Sequence, residues 1–402
     1  MGYIRQHLID PEICIRCNTC EETCPVDAVS HNDDNYVVDA AICEACMDCI
    51  APCPTGAIDN WRVVVAPYSL DAQFGWDELP AQDEVAEGAG SQGEAIDEDV
   101  NALLSIAHSG QGGRVVPPAS ASKPTVNLFR RAKPATAKVV GNFRITDEAA
   151  ETDTRHIVLD FGATVFPVLE GQCIGIVPPG TDAEGKPHEV RLYSVASPRD
   201  GERPNHNNLA LTVKREVTVA DGETHRGVAS NYLCDLDRGG EVAVTGPFGA
   251  TFLMPDDPDA NIVMICTGTG SAPFRAFTER RRRTAPGARG RLMLFFGARR
   301  PEELPYFGPL AKVPASILDQ ELVFSRLEGR PKEYVQDRMR ARGDDIAALL
   351  DSDRTHVYVC GLKGMEDGVF AALADICTAH GLDWQGLSGL MRAQGRYHVE
   401  TY

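Results

Sequence analysis

The sequence predicts a multidomain chain. A small α+β unit spans 1–65, an acidic linker 66–133, an antiparallel β-barrel 134–256 and an α/β domain with a parallel sheet 257–402. Three observations carry this division. One cysteine run occurs twice near the front of the chain. From Ala137 onward, strands of alternating polarity are separated by Gly and Pro turns. Beyond Asp259, buried apolar strands alternate with helical stretches, the pattern of a parallel sheet.

The cysteine runs read Cys14-x2-Cys17-x2-Cys20-x3-Cys24-Pro25 and Cys43-x2-Cys46-x2-Cys49-x3-Cys53-Pro54. Their flanks repeat too: Ile13 matches Ile42, and Ala28-Val29 matches Ala57-Ile58, so the unit is a duplication. This spacing ligates [4Fe–4S] clusters in two-cluster bacterial ferredoxins, where the Cys before Pro turns away to the other cluster. One cluster would take Cys14, Cys17, Cys20 and Cys53, the other Cys43, Cys46, Cys49 and Cys24. Two zinc sites or a disulfide framework are the alternatives. Zinc favours paired Cys hooks without the x3-Cys-Pro ending.

Composition narrows the class. Hydrophobic content of 43% with 24% charged residues is that of a soluble globular protein. No apolar stretch approaches the ~20 residues of a membrane span, and Met1 to Leu8 lacks the layout of a secretory signal. With most of the 13 cysteines assigned to clusters, a cytoplasmic location is expected. The net charge of −19 concentrates at the front: 1–62 carries 11 acids against 3 Arg, and 71–112 carries 10 acids and no base. That argues against a nucleic-acid partner, which needs a basic face. It suits either plain solubility or steering onto a basic redox partner. The linker is low in aromatics, and only Asp97–His108 has helical apolar spacing, at Val100, Leu103, Leu104 and Ala107.

Within the barrel, strands are expected at His156–Asp160 and Leu209–Lys214. Arg191-Leu-Tyr-Ser194 is a strand whose Arg fork can pair with a diphosphate. Tyr193, on the same face, can stack on a flavin ring, and Ser194 can donate to it. An ordinary strand would read the same. Gly227-Val-Ala-Ser230 is a turn opening a helix, which offers N–H groups to phosphate. In the last domain, strand Asn261–Ile265 leads into Gly268-Thr-Gly-Ser-Ala-Pro-Phe274, a dinucleotide loop in strand–turn–helix context that departs from G-x-G-x-x-G. Strands Leu292–Phe296, Leu322–Phe324 and His356–Val359 follow. Arg280 to Arg283 covers every side of a helix turn and is expected as a solvated face, with docking of an acidic domain as the alternative.

These segments, joined by Val359-Cys-Gly-Leu-Lys-Gly-Met-Glu366 and Val399-Glu-Thr-Tyr402, occur in the order seen in plant-type ferredoxin–NADP reductases, which the stretch 137–402 resembles. The resemblance implies a FAD-binding barrel and an NADP-binding α/β domain. It implies that Arg191 holds the FAD diphosphate, Tyr193 stacks on one flavin face, Ser194 lies near N5, and Gly227 and Ser230 meet the pyrophosphate. Thr269 and Gly270 would contact NADP phosphates, Cys360 the nicotinamide, and Glu400 would join a proton path. Tyr402 would cover the other flavin face and move aside for nicotinamide. Ser325, Arg326, Lys332 and Tyr334 would cradle the 2′-phosphate, where an NAD enzyme more often carries an acid.

The front unit fused to such a reductase resembles the reductase components of di-iron benzoyl-CoA epoxidases. That layout implies electron flow from NADPH through FAD and two [4Fe–4S] clusters to a separate di-iron oxygenase subunit. Flavin must stand between hydride and single-electron chemistry. Electron flow in reverse, to reduce NADP⁺, and a non-catalytic binding subunit with structural clusters are the alternatives.

Overall fold

In the computed structural model the described residues are 4–81, 96–107, 115–220, 222–306 and 312–402. The chain divides into two compact units, one of residues 1–92 with 161–166, the other of 93–160 with 167–402. Among the described residues no helix is long and apolar enough to cross a membrane.

The first unit contains β1 (Ile4–Leu8), α1 (Thr19–Glu22), β2 (Val29–His31), β3 (Tyr36–Val38), β4 (Asn60–Val64) and α2 (Leu70–Phe74). β1 pairs antiparallel with β4, and β2 with β3. Ile9, Val29, Tyr36, Val38, Ala57 and Ile58 form a small core around the cysteines. Buried His7 stacks on Trp61 at 4.1 Å and bonds the Ile58 carbonyl; burial pushes its imidazole down to about 4. Residues 66–81, expected as linker, belong to this unit. The buried Gln73 side chain accepts from Val38 N at 3.2 Å and donates to Val38 O at 3.0 Å, so α2 docks as a third strand would.

In the second unit, the predicted amphipathic stretch forms α3 (Glu98–Ala107); His108 lies outside the described residues. A ten-residue helix is marginal in isolation. Here Val100 is buried against Val190 and Phe248, with Leu104 packed alongside, a burial that contributes roughly 1.5–3 kcal/mol. Residues 115–133 also pack into this unit: Thr125 O accepts from Gln172, and Asn127 N and Phe129 N donate to Pro247 O and Gly246 O. Both ends of the expected linker are therefore folded.

The barrel strands are β5 (Ala135–Arg144), β6 (Thr154–Asp160), β7 (Cys173–Val177), β8 (Arg191–Ser194), β9 (Asn208–Lys214), β10 (Val217–Ala220), β11 (Glu223–Arg226) and, after α4 (Val228–Asp235), β12 (Glu241–Phe248). Six form an antiparallel sheet in the order β8-β7-β12-β5-β6-β9, and a bridge between Val195 and Leu211 joins its two edges. Alternation sets the inside: Ala135, Ala137 and Val139 of β5 are buried, while Thr136, Lys138 and Val140 face out. β10 and β11 form a separate hairpin.

The α/β half has β13 (Asn261–Thr267), α5 (Ser271–Thr284), β14 (Leu292–Ala298), β15 (Leu318–Phe324), α6 (Val335–Ala341), α7 (Gly343–Leu350), β16 (Thr355–Gly361), α8 (Lys363–Ala379), α9 (Trp384–Ala393) and β17 (Tyr397–Thr401). The sheet is parallel throughout, in the order β15-β14-β13-β16-β17. Strand order reverses beside β13, and ligands bind at the carboxyl ends of strands at such a switch point.

Candidate functional site

In the first unit, Cys14, Cys17, Cys20 and Cys53 line one cavity with Ile9, Tyr36 and Ile58. The fourth cysteine of the second run thus joins the first three of the first run. Cys24 lies close enough to raise the Cys43 thiol electrostatically, behind burial, as do Cys46 and Cys43 for Cys49. Both runs take the same unusual turns: Arg16 (φ 56°) and Asn18 (φ 64°) in one, Ala45 (φ 54°) and Met47 (φ 69°) in the other. Left-handed backbone without glycine costs of order 1–3 kcal/mol per residue. Its recurrence at matching positions marks a backbone wrapped around something. Four thiols around one cavity can each reach a separate iron corner of a cubane, so the residues present there fit a [4Fe–4S] cluster.

In the second unit β13 runs into a 3₁₀ turn, Gly268–Gly270, and then α5. Gly268 has φ 55° with open space where a Cβ would stand; at Gly270 a Cβ would lie 2.3 Å from the Cys360 carbonyl. One glycine leaves room for a phosphate and the other lets β16 approach. Ser271 Oγ donates to Gly268 O at 2.9 Å, which fixes the turn at the α5 N-terminus, where helix amides attract anions.

Cys266, Cys360 and Glu400 are register partners across β13, β16 and β17, so they form one row at the switch point. Burial pushes the Cys360 thiol well up, so it is neutral, and burial raises the Glu400 carboxyl to about 8. Thr269 Oγ1 lies 2.8 Å from the Tyr402 hydroxyl. On the barrel side, Ser194 pairs in register with Cys173 of β7, and Cys173 feels the Glu400 charge. Cys173 is a member of this constellation that motif reasoning missed; only the β7–β8 pairing reveals it.

Arg191 is exposed, paired with Glu189 at 2.9 Å, and Tyr193 is half-buried on β8. Ser230 is buried; its hydroxyl accepts from Glu216 N at 3.1 Å and donates to Gly227 O at 3.2 Å. That hydroxyl shapes the turn at the start of α4. Ser325 and Arg326 follow edge strand β15 and the glycine turn follows central strand β13, both at the carboxyl end of the parallel sheet, and Arg326, Lys332 and Tyr334 are exposed. Arg338 binds Glu333 at 2.8 and 3.0 Å and holds its carboxyl below the usual range, so the nearby acid is neutralised. A 2′-phosphate fits this donor set.

The run Arg280–Arg283 is only partly the solvated face expected: Arg282 is exposed, Arg280 and Arg283 are half-buried and Arg281 is buried. Arg281 is buried and donates to Gly290 O at 2.7 Å and Ala260 O at 3.1 Å, Arg282 pairs with Glu279, Arg283 bonds Gly201 O, and Arg280 lies 3.9 Å from buried Glu170. Arg281 and Arg283 therefore fasten α5 to neighbouring backbone, while Arg282 stays exposed and pairs within its own helix.

Two family models match: an oxidoreductase NAD-binding domain over residues 264–370 and a 4Fe-4S binding domain over residues 7–30. The ferredoxin–NADP reductase of the Cyanophora paradoxa cyanelle is 42% identical, covering 69% of this chain and 79% of that protein. The spinach chloroplast ferredoxin–NADP reductase is 37% identical, covering 69% and 78%. Among solved structures, ferredoxin-NADP+ reductase from Plasmodium falciparum superposes with a TM-score of 0.55 at 23% identity, covering 69% of this chain and 99% of that one; this shows a shared fold. With its glycine turn, its parallel sheet and these relatives, the chain belongs to the ferredoxin–NADP reductase family and is an NADPH-dependent oxidoreductase carrying a 4Fe-4S domain.

Proposed function

We propose that the chain passes electrons from NADPH through FAD and two [4Fe–4S] clusters to an external acceptor. The observation that carries this reading is the cavity shared by Cys14, Cys17, Cys20 and Cys53 in a chain whose other unit is a reductase. When bound, FAD supplies the exchange between two-electron hydride chemistry and one-electron cluster chemistry. The chain's residues bind and orient. Arg191 and the α4 N-terminus would hold the diphosphate, Tyr193 and Tyr402 would bracket the flavin, and Ser325, Arg326, Lys332 and Tyr334 would select the 2′-phosphate. Cys360 would lie against the nicotinamide. Glu400, its carboxyl raised to about 8, holds a proton at neutral pH that it would pass by way of Ser194.

For the acceptor, the layout of the fused unit supports a di-iron oxygenase component, an epoxidase acting on benzoyl-CoA. The names of the relatives support the reverse direction, from reduced ferredoxin to NADP⁺, as the second reading. Anaerobic NADPH addition decides between them. Cluster bleaching followed by reoxidation on adding a purified di-iron oxygenase supports the first; clusters that stay oxidised under excess NADPH, with NADP⁺ reduced when dithionite feeds them, support the second.

A further inference from the structure

A buried polar cluster lies between the barrel and the α/β half of the second unit, and no cofactor role accounts for it. Arg275 sits in the second turn of α5, just past the glycine turn. Its Nη1 donates to the Ala196 carbonyl and to Glu202, each at 2.7 Å, and its Nη2 donates to the other Glu202 oxygen at 2.7 Å. Ala196 is two residues past Ser194, the end of β8. Two turns further along α5, Arg283 donates to Gly201 O at 2.7 Å and Glu202 O at 2.8 Å. One helix therefore holds the loop after β8 at two points.

That loop has little freedom of its own. Gly201 has φ 97°, and a Cβ there would stand 2.4 Å from the His206 carbonyl. From the barrel, His156 Nε2 lies 3.3 Å from Glu202, and its Nδ1 lies 2.9 Å from the Tyr306 hydroxyl. Although burial opposes its charge, His156 and Arg275 hold the Glu202 carboxyl down to about 2. A buried ion pair is a poor means of gaining stability, since apolar residues often do as well. A bidentate Arg–carboxylate pair does fix distance and angle. It sits between the strand of Tyr193 and Ser194 and the helix that begins at the nucleotide turn.

We propose that Arg275 is a positioning residue for hydride transfer: through Glu202 and the Ala196 carbonyl it sets the flavin strand β8 against the nucleotide-binding turn. The inference rests on the reading that FAD and NADPH meet at this site. In the transfer it serves, a hydride leaves nicotinamide C4 for flavin N5; NADPH becomes NADP⁺ and the flavin gains both electrons. A misplacement of ~1 Å can cost about a hundredfold in such a step.

The test compares full-length holoenzyme with Arg275→Met, Arg275→Lys, Glu202→Gln and the Met/Gln double variant. The readouts are rapid-mixing flavin reduction, the NADP⁺ dissociation constant, and amide hydrogen exchange in 196–202, measured also without FAD. Arg275→Met is expected to slow flavin reduction by at least about tenfold, with the NADP⁺ dissociation constant within about threefold. The isotope effect with 4-deuterated NADPH should become temperature-dependent, and 196–202 should exchange faster. The double variant should be no slower than the worse single variant, and Lys should fall between. Reduction within about twofold of wild type in both Arg275→Met and Glu202→Gln overturns the proposal, as does unchanged exchange in 196–202. Should the Met variant fail to fold, Arg275→Lys and Glu202→Gln decide by the same two criteria. If the wild type holds no FAD, the functional reading fails, while exchange in 196–202 still reports on the grip.

Discussion

The hydroxyl oxygens of Thr269 and Tyr402 lie 2.8 Å apart, so the nucleotide turn and the end of the last strand hold one another. The Tyr402 backbone is fixed at both its groups, N to Gly361 O at 3.0 Å and O from Lys363 N at 3.2 Å, while the residue is 56% exposed. Its strand is therefore anchored independently of the ring. Tyr402→Ser is expected to tighten nicotinamide binding, relax the preference for NADPH over NADH and shift the flavin absorbance. Titration with NADP⁺ followed in the flavin bands checks this; unchanged affinity with an unchanged spectrum removes the gating role.

Arg326→Ala is expected to remove the charge-assisted contact proposed for the 2′-phosphate. Such contacts contribute roughly 1.5–3 kcal/mol, on the order of tenfold to a hundredfold in kcat/KM for NADPH. NADH turnover should hardly change. Steady-state kinetics with both nucleotides reads the difference, and equal losses for the two would place the 2′-phosphate elsewhere.

Glu400 is protonated below its raised value of about 8 and ionises as pH climbs through it. The proton it holds is therefore present at neutral pH and gone in alkali, and flavin reduction should fall above about pH 8. Glu400→Gln is expected to be slower at neutral pH and to lack that limb. The same sign applies to stability. Folding opposes the ionised form, so wild type loses stability as pH rises from the ordinary carboxylate range through the raised value, and Glu400→Gln does not. A rate–pH profile across about pH 8 and thermal melts of both proteins from about pH 4.5 to 8 test the two halves separately.

Anaerobically purified protein should contain about eight iron, eight acid-labile sulfide and one FAD per chain. Cys53→Ala should cost the cluster of Cys14, Cys17 and Cys20, leaving about half the iron, while NADPH still reduces the flavin. Roughly four iron in wild type would reject the second cluster.

Much of this was legible because it was local. Cysteine spacing and Gly268 to Gly270 before a helix are short-range signals that the structure keeps; the expected alternation holds in β5, whereas β6 and β9 are buried almost throughout. The pairing of Arg275 with Glu202 was not legible, since partners far apart in sequence meet only once barrel and sheet are packed. Cys173 escaped notice for the same reason: its role follows from lying opposite Ser194. The arginine run misled because charge alone does not show where backbone carbonyls wait; Arg281 is buried by the carbonyls of Ala260 and Gly290. The acidic linker looked longer than it is because Gln73 and Val100 anchor its ends through contacts that composition does not encode.

The company Cys53 keeps also bears on how the front unit came to exist. Cys53 belongs to the second half of a duplication, yet it shares a cavity with three cysteines of the first half. In the proposed ligand sets each half lends its last cysteine to the other, so a lone ancestral half would have built those sites by pairing with a second copy. Joining two such copies in one chain would have turned an association that depended on concentration into a permanent one. A half-length peptide made today should gather iron only as a pair of chains, more completely as its concentration rises.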